Sequence, residues 1–65
     1  MINNELKRAV LASQIEQYEI EQYRLEIQQK IATNLRDIQA QRKIEADLTT
    51  IRTALEIFSE EMAKL

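Results

Sequence analysis

From Ile44 onward the apolar residues recur at alternating steps of four and three: Ile44, Leu48, Ile51, Leu55, Phe58, Met62 and Leu65. That spacing averages 3.5 residues, the repeat of an α-helix whose apolar seam lies against a neighbouring helix along its whole length. Upstream the pattern is less regular. A seam of the same kind runs through Ile2, Leu6 and Ala9, lapses at Ser13 and Glu16, and resumes at Ile20, Tyr23 and Ile27. It then loses phase, because Ile31, Leu35 and Ile38 fall at steps of four and three while the original register reaches the polar Asn34, Asp37 and Gln41.

Two architectures account for that break. In one, the chain is a single continuous helix with a stutter in its coiled coil. In the other, it folds back at Thr33–Asp37, where Asn34 tolerates the left-handed conformation that ends helices, Leu35 packs back on Ile31 and Asp37 caps the next helix. The second gives one domain with arms of nearly equal length: a helix over about 3–33, a turn at about 34–37 and a helix over about 38–65. The expected fold class is therefore all-α, an antiparallel helical hairpin that self-associates into a four-helix bundle, with the continuous coiled-coil helix as the alternative.

A second apolar stripe favours the hairpin. Leu11, Ile15, Tyr18 and Leu25 lie, at 100° per residue, on roughly the opposite side of the first arm from Ile20, Tyr23 and Ile27. One seam cannot bury both. We assign Ile20, Tyr23, Ile27, Ile44, Leu48, Ile51, Leu55, Phe58, Met62 and Leu65 to the oligomer interface. Leu11, Ile15, Tyr18 and Leu25 are left to dock a helix of another protein. In heptad terms the second arm places Leu48, Leu55 and Met62 at a and Ile44, Ile51, Phe58 and Leu65 at d, a choice that disfavours parallel dimers and suits higher-order bundles.

Composition strengthens the helical reading. The 65-residue chain contains neither Gly nor Pro, so the usual residues of tight turns and phosphate-cradling loops are missing. Near this length a single core leaves little net stability without disulfides, metals or further subunits. With no Cys and no His, disulfides and thiolate or imidazole metal sites are excluded, which leaves oligomerisation.

The same absences remove the ordinary nucleophile–base pairs, and Ser13 and Ser59 have no activating neighbour in sequence. The Ser13–Glu16 segment matches a capping-box pattern but sits inside a helical pattern that continues on both sides. Glu16, Glu19, Glu21 and Glu26 lack the partner His of a di-iron helix motif. They read as a solvated face, with Glu21–Arg24 and Glu26–Lys30 as surface pairs, and Lys43–Asp47, Arg52–Glu56 and Glu60–Lys64 repeating that spacing in the second arm. No enzyme chemistry, cofactor or metal is expected.

A formal net charge of -2 argues for neither nucleic acid nor membrane as partner. The longest apolar run, Ala9–Ala12, is far too short to span a bilayer, and the opening "MINNELKRAV" has no signal-peptide core, so the expected location is the cytoplasm. The leading functional expectation is a non-enzymatic protein–protein interaction module: an adaptor, assembly subunit or inhibitor that docks a partner helix. The alternative is a small RNA-binding regulator using Arg36, Arg42 and Lys43, of which Arg36 and Lys43 are seven residues apart and would share a helix face. Asp37 and Asp47 nearby, and the absence of an interleaved aromatic residue, weaken it.

Overall fold

A computed structural model describes residues 2–65 as two helices, α1 (Asn4–Asn34) and α2 (Ile38–Ala63), folded back on each other as an antiparallel hairpin. The envelope is 49 × 17 × 15 Å, the length of a 31-residue helix and about the width of two. The continuous-rod alternative is thereby removed.

Each helix begins at a side-chain cap. Asn3 has an extended backbone, and its Oδ1 accepts a hydrogen bond from the Leu6 N–H at 2.8 Å, while Glu5 in the first turn meets the positive end of the helix dipole. Asp37 does the same for α2, its Oδ1 accepting from the Ala40 N–H at 3.0 Å. Ser13–Glu16 lies in the uninterrupted interior of α1, so the capping-box match there has no structural role.

The reversal is a Schellman turn. The Asp37 N–H donates to the Ala32 carbonyl at 3.0 Å and the Arg36 N–H to the Thr33 carbonyl at 3.1 Å, satisfying two carbonyls that α1 would otherwise leave open. Such a turn needs one residue with positive φ. That residue is Arg36, at φ 56°, and not Asn34, which is the last residue of α1. Leu35, expected to pack back on Ile31, is 73% exposed, and its N–H donates to the Ile31 carbonyl at 3.0 Å.

The core sits against this turn. Leu25, Ala32, Ile44 and Leu48 are buried, with Ala40 and Ile51 packed on them, and Leu48 is the most enclosed at 1% exposed. Ala32 has no bulk beyond Cβ, which suits the short connection because the helices must already be close there. Across the same junction Gln41 Nε2 donates to the Ala32 carbonyl at 3.3 Å. Toward the open end the seam continues through Tyr18 and Phe58, whose rings meet edge to face with centroids 5.1 Å apart. At that end the Arg8 guanidinium donates to the Leu65 backbone oxygen, bridging the two arms.

Candidate protein-binding face

Why does α1 carry two apolar stripes when α2 carries one? The structure answers by placing them, and it overturns the docking role expected from sequence for one of the two. Leu11, Ile15, Tyr18 and Leu25, expected to dock another protein, point into the hairpin: Leu25 is buried and the other three are half-buried. Ile20, Tyr23 and Ile27, expected in the oligomer interface, lie on the outside of the hairpin, with Tyr23 66% exposed. The seven remaining interface residues, Ile44, Leu48, Ile51, Leu55, Phe58, Met62 and Leu65, are all buried or half-buried as the α2 half of the seam. The ladder of α2 therefore presses against α1 of its own chain.

Three inner positions escaped the sequence reading. Continuing from Leu11, Ile15 and Tyr18 by the same alternating steps reaches Gln22, Leu25, Gln29 and Ala32, of which the two glutamines are half-buried and the alanine buried. The spacing was a sufficient signal. Two polar residues and one small one interrupted the apolar run that would have revealed it, whereas long glutamine side chains can lie along a seam with their amides at its edge.

What remains outside is a pair of apolar blocks, one at each end of α1. Ile2, Leu6 and Val10 at the open end and Ile20, Tyr23, Ile27 and Ile31 toward the turn are exposed, separated by Ser13, Glu16 and Gln17. By helical angle Ile20, Tyr23, Ile27 and Ile31 lie on the side of α1 away from α2, with Leu6 and Val10 turned toward its flank. The exposed surface of α2 is different in kind: Arg42, Glu45, Thr49, Arg52, Glu56 and Glu60 follow one another at helical spacing. Ile38 and Ile57 are its exposed large apolar residues. α1 thus carries apolar residues on two sides, while the outer side of α2 is mostly polar.

The electrostatics of the hairpin are those of ordinary helix surfaces. Glu21 and Arg24 form a two-pronged pair, and the hydrogen bonds from the guanidinium hold the Glu21 carboxyl below its ordinary value and raise that of Arg24. Lys43 pairs with Asp47 at 3.3 Å, and Lys64 pairs with Glu61 at 3.2 Å where Glu60 was expected. Among the described residues no group of three or more Asp or Glu is placed to hold a metal, and no helix is long and apolar enough to cross a membrane. A shallow, open depression at the open end is lined by Ile2, Val10, Leu11 and Leu65 with Lys7 and Glu61 at its rim, so it borders the exposed stripe.

Arg36 occupies the left-handed position between the helices, so it shares no helix face with Lys43, and Lys43 is engaged by Asp47. Arg42 is exposed on α2. No family model, curated protein or solved structure matches the chain.

Proposed function

We propose that this chain is a non-enzymatic protein–protein interaction module, a helical hairpin that self-associates through the outer face of α1. The observation that carries the reading is the stripe from Ile2 to Ile31, whose members are more than one-third exposed although they are large and apolar. Single exposed apolar side chains are common on any surface, but two blocks of them repeated along one helix mark a contact surface. Interaction modules of this build act as adaptors, assembly subunits or inhibitors by offering such a face to another helix. The polar outer surface of α2 keeps the assembled form hydrated.

Light scattering on the eluting peak of a size-exclusion column tests this directly. The expected mass is a multiple of the 7.7 kDa chain. The variant Ile27→Glu, which touches only the exposed stripe, is expected to keep its helicity and elute as a monomer. A wild-type chain that stays monomeric and fully helical at high concentration contradicts the proposal.

A further inference from the structure

The order of residues along the exposed stripe carries information about its occupant. Its apolar members form two blocks around a polar centre at Glu16 and Gln17, and the blocks mirror each other: Ile2 and Ile31, Leu6 and Ile27, Val10 and Tyr23 are each equidistant in sequence from that centre. We infer that the stripe is covered by the same stripe of a second copy, with the two α1 helices antiparallel and a two-fold axis passing between them near Glu16 and Gln17. This rests on the self-association proposed above and adds its orientation.

The mirror arrangement matters because an antiparallel pair about that point brings Leu6 level with Ile27 of the other copy and Val10 level with Tyr23, so most apolar residues of the stripe find an apolar residue at their own level. Ser13 meets Ile20 and the polar centre meets itself. Charge supports the same orientation. Glu5 and Lys30 lie on one edge of the stripe at 100° per residue, and a two-fold axis perpendicular to antiparallel helices makes that edge face the same edge of the second copy. Glu5 then falls within about 3 Å, measured along the axis, of the level of the second copy's Lys30. The dipoles of the two helices also oppose, which places the positive end of each beside the negative end of the other. A parallel pair has neither feature. One contact works against the antiparallel pair: the two Glu16 carboxylates lie on that shared edge close to the axis, and they repel.

The chain has no Cys, so single labelling sites can be introduced in the full-length protein. Nitroxide labels on Gln28→Cys are expected to give an intermolecular distance of roughly 35 Å, and on Gln17→Cys one below roughly 15 Å, at 1.5 Å per residue from the axis and 8–10 Å between helices. A parallel pair gives a short distance at both sites and overturns the inference while leaving self-association intact. Light scattering on the labelled chains separates this from a monomer, which removes both. Gln28 alone decides the orientation if a label at Gln17 weakens association. Independently, Glu16→Gln is expected to tighten the dimer about fivefold, the effect of two unit charges a few Å apart in water. An unchanged dissociation constant contradicts the antiparallel edge pairing.

Discussion

Arg36 is the residue most plainly at odds with its position. A left-handed backbone costs a residue with a Cβ about 1–2 kcal/mol, and at the corresponding place in most such turns stands a glycine, which this chain lacks altogether. Arg36→Gly is therefore expected to stabilise the hairpin by about 1 kcal/mol, the relief of strain exceeding the entropy gained by the unfolded chain. Urea denaturation of the two proteins checks this, and a loss of stability would mean that the turn does not have this geometry. Asp37 is the opposite case, a residue matched to its place, and Asp37→Ala is expected to cost about 1 kcal/mol through the lost cap on Ala40. Titration adds a smaller signature. The Arg24 hydrogen bonds lower the Glu21 carboxyl, so the pair's contribution is present above the unfolded carboxylate value and fades as the pH falls through the lowered folded one. Carbon-detected NMR is expected to find Glu21 titrating below the ordinary Glu value, and Arg24→Ala is expected to return it there.

At the scale of the helices, the two apolar faces of α1 do different jobs, and substitutions on them are expected to separate. Leu48→Ala removes the most enclosed side chain of the seam and is expected to cost about 2–5 kcal/mol, enough to unfold much of a hairpin this small. Ile15→Glu places a charge in the half-buried inner face and is expected to melt the hairpin, whereas Ile20→Glu on the outer face is expected to leave the far-ultraviolet circular dichroism of the monomer unchanged. Equal loss of helicity from both substitutions would mean the faces are not distinct. The helices themselves, the cap at Asp37 and the region of the reversal were legible in the sequence, because periodicity, capping chemistry and the loss of phase after Ile27 are local signals. Which stripe of α1 faces α2 was not. Both are apolar, and the choice depends on how α1 is rotated about its axis once the short turn fixes the approach of α2. That rotation is set by how Leu25 and Ala32 pack with Ile44 and Leu48 in one cluster and by the fit of Tyr18 against Phe58, contacts made between residues far apart in sequence. The exact left-handed position was hidden for a related reason, since the chain uses Arg where composition would point to Asn.

The molecule as a whole is one layer of two helices, and its fully buried residues are confined to the end near the turn. A layer this thin has little interior, and the apolar surface that a thicker domain would enclose is instead displayed along the back of α1. If a second copy covers that surface, association adds to the stability of the folded hairpin and that stability depends on concentration. The thermal midpoint of the wild-type chain is then expected to rise with protein concentration, each tenfold increase adding about 1.4 kcal/mol per mole of dimer, the mass-action value for two chains combining. The midpoint of Ile27→Glu is expected to be lower and independent of concentration, because that substitution removes the second copy without touching the seam with α2. Circular dichroism melts over two decades of concentration measure both. A wild-type midpoint that does not move would show that the hairpin is stable with its stripe in water, and the outer face of α1 would then have no part in holding copies together.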